Sequence, residues 1–155
     1  MSIRGHQVNR DNFLDSGEFP VVDQGKDFIA GYTNNNDVVI DDVPVIVFGD
    51  HTTIVKYVDF KFAAGADGTK VLRIKRDDNP QLLYYLLLAN PLEAEGYKRH
   101  FSILRQRNYL LPTSNAEQQK IADFLTAIDQ TITAKSAEIT QVEQWKKGLM
   151  QKMFV

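Results

Sequence analysis

The last quarter of the chain decides its architecture: Leu111-Pro112-Thr113-Ser114-Asn115-Ala116-Glu117-Gln118-Gln119-Lys120-Ile121-Ala122-Asp123-Phe124-Leu125, then Ile128-Asp129, a polar middle, and Lys146-Lys147-Gly148-Leu149-Met150-Gln151-Lys152-Met153-Phe154. Ser114 and Glu117 form a Ser-x-x-Glu capping box, in which the hydroxyl accepts from an early backbone N–H while the carboxylate reaches back. From Ile121, alternating steps of four and three residues land on Ile121, Leu125, Ile128, Ile132, Lys135, Ile139, Val142, Lys146, Leu149 and Met153. All but the two lysines are apolar, and a spacing of about 3.5 residues held this long describes a coiled-coil seam. From Asn115 to Met153 such a helix spans ~58 Å, about twice the width of a small domain. It must overhang whatever precedes it.

An overhanging apolar stripe needs a partner. No second stretch of comparable length reads as a helix, so the partner is another chain, with Ile121, Leu125, Ile128, Ile132, Ile139, Val142 and Leu149 as the dimer interface. The alternative is a helix folded back on its own domain, which one small domain cannot cover along its length. Lys135 and Lys146 interrupt the seam at core positions, where polar residues fix register. Gly148 costs about 1 kcal/mol against alanine and loosens the last turns. Trp145 flanks the seam, either as packing or as an anchor for a partner.

Composition sets the outer bounds. A chain of 155 residues, 43% hydrophobic and 25% charged, supports one globular domain plus an appendage. Its longest apolar run, Leu82 to Ala89, suits a short buried helix and is far too short to span a membrane. The start, Met1-Ser2-Ile3-Arg4-Gly5-His6, lacks the apolar core of a signal peptide, and the absence of cysteine excludes a disulfide framework and thiol chemistry. A cytoplasmic location is expected. The net charge is −2, whereas a lone DNA-binding module is usually basic. Composition alone does not suggest DNA.

Residues 1–112 read as a mixed α+β domain, and residues 113–155 as the long helix. Val38-Val39-Ile40 and Val45-Ile46-Val47-Phe48 are β-branched runs split by Asp41-Asp42-Val43-Pro44. Thr53–Val58 and Phe60–Phe62 continue as strands, and the turn Ala66-Asp67-Gly68-Thr69 leads into Val71-Leu72-Arg73-Ile74. Asp78-Asn79-Pro80 opens a helix with Leu82 to Leu88 buried, which Asn90-Pro91 ends. A basic stretch, Lys98-Arg99-His100 through Arg105-Gln106-Arg107-Asn108, then runs into the long helix. Gly25, Gly31 and Gly49 read as turn residues, and Tyr32 as a half-buried aromatic at a strand end, the alternative being an aromatic that stacks on a nucleic-acid base or sugar.

The C-terminal string resembles the helical conserved region of the specificity subunits of type I restriction–modification enzymes, where a "P, small polar residues, EQ, I-A, L, I-D" run follows each DNA-reading domain and ends in a "K…LMQ…F" tail. Phe19-Pro20-Val21-Val22-Asp23-Gln24-Gly25 with Ile29-Ala30-Gly31-Tyr32-Thr33-Asn34, and Val45 to Gly49 with Asp50-His51-Thr52-Thr53, resemble the recognition domain of the same family. The resemblance covers most of the chain. It departs in number, because family members usually carry two recognition domains and two long helices, and in a short lead-in of about a dozen residues before Phe13. This implies either a half-subunit that dimerises or a truncated remnant. It further implies methyltransferase subunits that use S-adenosylmethionine and an ATP-dependent restriction subunit as partners. No cofactor is expected on this chain.

Reading DNA needs directional donors and acceptors, arginine for guanine and asparagine or glutamine for adenine. The loop candidates are Gln24, Asn34, Asn35, Asn36, His51, Thr52 and Thr53, with Arg105, Gln106, Arg107 and Asn108 as a second cluster beside the helix junction. Asn34–Asn36 reads equally as turn chemistry, since asparagine tolerates left-handed backbone. Lys56, Lys61, Lys70, Arg73, Lys75 and Arg76 suit phosphates, which position a protein without reading sequence. Lys75 and Arg76 beside Asp77 and Asp78 also fit a solvated charge pair at a helix start. His6, His51 and His100 lack metal-ligand spacing, and no nucleophile elbow, phosphate loop or dinucleotide fingerprint occurs. The expectation is a non-catalytic subunit that reads a palindromic, interrupted site on double-stranded DNA as a homodimer. The alternative is a coiled-coil-dimerised protein-interaction module with no DNA role, which the acidic balance favours.

Overall fold

The computed structural model describes residues 7–74, 78–93, Gly96 and 98–154. Strands β1 (Phe19–Val22), β2 (Gly31–Thr33), β3 (Val39–Ile40), β4 (Val45–Gly49), β5 (Val55–Val58), β6 (Phe62–Ala64) and β7 (Thr69–Leu72) precede helices α1 (Pro80–Ala89), α2 (Phe101–Gln106) and α3 (Asn115–Met153). One sheet, in the order β2-β1-β6-β3, is mixed: β1 and β6 run parallel, and the outer pairs are antiparallel. The other, β5-β4-β7, is antiparallel throughout. The class is α+β, a mixed domain followed by one long helix.

Strand β4 explains the layering. Val45-Ile46-Val47-Phe48-Gly49 is buried along its whole length. Side chains alternate across a strand. Val45 and Val47 enter a core shared with Val22, Phe62 and Ala64 of the mixed sheet and with Val58 and Val71. Ile46 and Phe48 pack the other way, against Leu87, Leu92 and Leu104 below the helices. Burial on both faces requires the unbroken apolar run, and each such large side chain contributes about 1.5–3 kcal/mol. On the other face of the mixed sheet, Val21 and Ala63 pack with Val8, Phe13 and Val38, and the Val8 N–H donates to the Ala64 carbonyl at 2.9 Å.

Several elements depart from the sequence expectation. β6 covers Phe62–Ala64 rather than Phe60–Phe62, and β5 begins at Val55 because Thr53 takes a left-handed φ of 58° in the preceding turn. β7 starts at Thr69, two residues early. Within α1 only Leu82 and Leu87 are fully buried, and Leu88 points to solvent, because the helix presents one face to the sheet. The basic stretch before α3 contains a helix that the sequence did not suggest, α2.

α3 runs 39 residues from an N-cap at Ser114. Only the serine half of the expected capping box forms: the Ser114 hydroxyl accepts from the Glu117 N–H at 3.4 Å. Gln118 and Ala122 are buried against α1, and from Ala127 to Phe154 every residue except Gly148 is exposed. No helix among the described residues is long and apolar enough to cross a membrane.

Candidate nucleic-acid interface

The loop candidates divide between the two ends of β1. At its start, the Asn34 carboxamide oxygen accepts from the Glu18 N–H at 2.9 Å, and Asn35 caps a short 3-10 turn by accepting from the Asp37 N–H at 3.0 Å. Both side-chain oxygens are engaged within the protein, Asn34 across to Glu18 and Asn35 in its own turn, and neither residue takes the left-handed backbone that the turn reading invoked. Asn36 is exposed on that turn.

At the other end of β1, three loops converge on Gln24. Its Oε1 accepts from the His51 N–H at 3.1 Å, its Nε2 donates to the Asp67 carbonyl, and its own carbonyl accepts from the Thr52 hydroxyl at 2.7 Å. Glycines make the approach possible. A Cβ on Gly49 would stand 2.1 Å from Thr52 Oγ1, and one on Gly68, at φ +95°, would stand 2.7 Å from His51 Cδ2 and 2.8 Å from the Gln24 amide. Gln24, His51 and Thr52 thus form a rigid knot, with Thr53 in its turn donating to the Thr52 carbonyl at 2.7 Å.

Lys56 lies beneath this knot rather than on a phosphate-facing surface. It is 4% exposed, and its Nζ donates to the carbonyls of Asp23 (2.8 Å) and Asp27 (2.5 Å). The loop after β1 is thereby pinned from below. Burial pushes the Lys56 ammonium below its usual pKa, partly offset by the Asp23 carboxylate 3.7 Å away. Lys70 pairs with Asp50 at 3.8 Å and Arg73 with Asp42 at 2.5 Å, so both are engaged within the protein. Lys61 is exposed, and Lys75 and Arg76 lie outside the described residues.

The second cluster is tied to the knot through Asp50. This buried aspartate closes β4; its Oδ1 accepts from the Phe101 N–H at 2.8 Å, and its carbonyl accepts from the His100 N–H at 2.8 Å. His100, 1% exposed, places Nδ1 3.0 Å from the same carbonyl. A carboxylate at a helix start satisfies an otherwise orphaned donor and favours the dipole. α2 is fixed this way, carrying Arg105 exposed in its last turn and Gln106, Arg107 and Asn108 exposed behind it. Arg107 spends Nη1 on the carbonyls of Asn90 (2.8 Å) and Pro91 (3.4 Å). The segment therefore carries Lys98, Arg99, Arg105 and Arg107 at the surface on an anchored backbone. Asp50 and His100 are structural supports of this cluster that the sequence does not reveal, because a histidine and an acid 50 positions apart carry no local signal.

Among the described residues no group of three or more histidine, cysteine or acidic side chains is placed to hold a metal. The family model for the type I restriction modification DNA specificity domain matches residues 2–144. The chain belongs to this family. It is also 35% identical, over 144 residues, to the EcoR124I/EcoR124II type I restriction enzyme specificity subunit of Escherichia coli. That match covers 86% of this chain and 35% of the subunit, so the chain spans about a third of its curated relative. No solved structure matches the chain. The matched stretch takes in both loop clusters, α2 and most of α3.

Proposed function

We propose that this chain is a non-catalytic specificity subunit that reads double-stranded DNA, dimerises through α3 and recruits methyltransferase subunits of a type I restriction–modification enzyme, in the cytoplasm. Residues 1–112 act as the reading domain and residues 113–155 as the dimerisation and spacer helix. S-adenosylmethionine and ATP belong to the methyltransferase and restriction subunits.

The observation that carries this reading is the exposed heptad stripe. Ile132, Ile139 and Val142 are 57%, 59% and 55% exposed on a helix that runs several turns past Asp129, where it still bonds to Tyr85 of α1. Leaving such a row in water forfeits about 1.5–3 kcal/mol per large side chain, which a second copy recovers by knobs-into-holes packing. Ile121 and Leu125, at the domain end of the stripe, are already half-covered and contribute less new burial. An antiparallel twofold pair places one reading domain at each end, facing opposite ways, and its site is two equal half-sites around a fixed spacer.

Co-expression with a type I methyltransferase subunit in an unmethylated host, followed by genome-wide mapping of modified adenines, tests this directly. A symmetric interrupted motif is expected. A stable complex without methylation, or an asymmetric motif, overturns the twofold reader. Absence of salt-dependent DNA binding by the complex favours an interaction module instead, the reading that the net charge of −2 supports.

A further inference from the structure

α3 meets its own domain through a row that is not its apolar stripe. Gln118, Ala122, Thr126 and Asp129 face α1, whereas Ile121, Leu125, Ile128 and Ile132 follow a row roughly a quarter turn away. The contact row is polar and directional. Gln118 is 1% exposed and uses its whole carboxamide: Oε1 accepts from the Asn79 N–H at 2.7 Å, and Nε2 donates to Asp78 Oδ1 at 3.0 Å and to the Pro112 carbonyl at 2.7 Å. Ala122, one turn on, is 0% exposed. Gln81 Nε2 then donates to Thr126 Oγ1 at 2.7 Å, and the Tyr85 hydroxyl donates to Asp129 Oδ2 at 2.7 Å.

We infer that Gln118 is the positioning residue of the joint between the reading domain and the long helix, and that it fixes the one spacer length between half-sites; this rests on the reading of the preceding section. An apolar contact lets two helices slide and tilt, whereas a satisfied buried polar network admits one arrangement. Gln118 ties three segments at one point: the entry to α1 at Asp78 and Asn79, the entry to α3 at Pro112, and α3 itself. Leverage makes the angle consequential. A tilt of about 10° at the joint swings the far side of a ~30 Å domain by about 5 Å, more than one base-pair step of ~3.4 Å.

The test uses Gln118→Met, which keeps length but removes the carboxamide, and Asp78→Ala, which removes one of its three bonds. Each full chain, with its melting temperature checked, selects from a pool of random duplex DNA. Wild type is expected to return half-sites at one spacing. Both variants return the same half-sites, with the preference for that spacing over its neighbours reduced roughly tenfold, the scale of one net hydrogen bond. An unchanged spacing preference in both folded variants overturns the inference.

A second readout does not depend on DNA. The chain has no cysteine, so spin labels at Lys61→Cys and Ser136→Cys report the domain-to-helix distance, with labelled chain diluted in unlabelled chain. A narrow distribution that broadens in Gln118→Met supports the joint, and equal widths refute it. If wild type selects no DNA motif yet the distribution still broadens, the DNA reading fails while the joint stands.

Discussion

Gln24 and Arg105 were both candidates for reading bases, and their surroundings give them opposite mutational signatures. Both ends of the Gln24 carboxamide are engaged by His51 and Asp67, on two other loops. Gln24→Ala therefore strands part of this knot and is expected to lower stability by about 1–3 kcal/mol in denaturant unfolding. A melting curve identical to wild type would return Gln24 to the list of free readers. Arg105 is exposed in the last turn of α2. Arg105→Ala should leave stability within about 0.5 kcal/mol, weaken DNA binding by the assembled enzyme, and reduce the salt slope by about 1. Undiminished binding with an unchanged slope removes it from the contact surface. The sequence displayed these residue types but not their employment. The partners of Gln24 lie 27 and 43 positions away, and Lys56, which looked like a phosphate ligand, is spent on carbonyls 33 and 29 positions away. Long-range pairing of this kind leaves no periodic trace in a chain.

Elements were legible where their signals are local. α3 announces itself through Ser114, the helix-forming run that follows and a heptad carried over many turns; β4 does so through an apolar run that only two-sided burial explains. α2 was hidden because its start is satisfied by Asp50, from another element, rather than by a neighbouring serine or aspartate. The contact between α1 and α3 makes a prediction in pH. The Tyr85 hydroxyl is held above its usual pKa of 10.0, first by burial and then, less the opposing Thr126 bond, by Asp129. A raised folded pKa means that the stabilisation is complete below pH 10 and is lost as pH rises through the folded value. Tyr85→Phe should cost about 0.5–1.5 kcal/mol at neutral pH and flatten the decline in stability above pH 10, measured by denaturant unfolding across that range. An unaltered pH profile in the variant would show that Tyr85 is not held above its usual pKa in solution. Farther along the helix, Ile132→Asp with Ile139→Asp is expected to abolish the dimer in sedimentation while leaving the domain folded, since both residues are more than half exposed; a dimer that survives places the interface elsewhere.

At the scale of the whole molecule, the packed sheets with α1 and α2 build a platform that ends several turns before α3 does. The Gln24 loops, the Asp50 anchor of α2 and the Gln118 joint all belong to that platform, and the stripe beyond Asp129 belongs to none of it. Reading and spacing are then separable by length alone. One heptad inserted after Ser136, where the helix is exposed on every side, preserves the seam's phase and lengthens the helix by about 10 Å. In an antiparallel pair the two domains move apart by the same distance, up to about three base-pair steps of ~3.4 Å. The methylation motif of the insertion variant should therefore keep both half-sites and gain spacer. An insertion of only two residues breaks the phase, turns the following apolar positions out of the seam and should destroy dimer and motif together. A seven-residue variant that methylates the wild-type spacer would show that α3 does not set the distance, and the spacing would then have to be imposed by the methyltransferase subunits clasped around the pair.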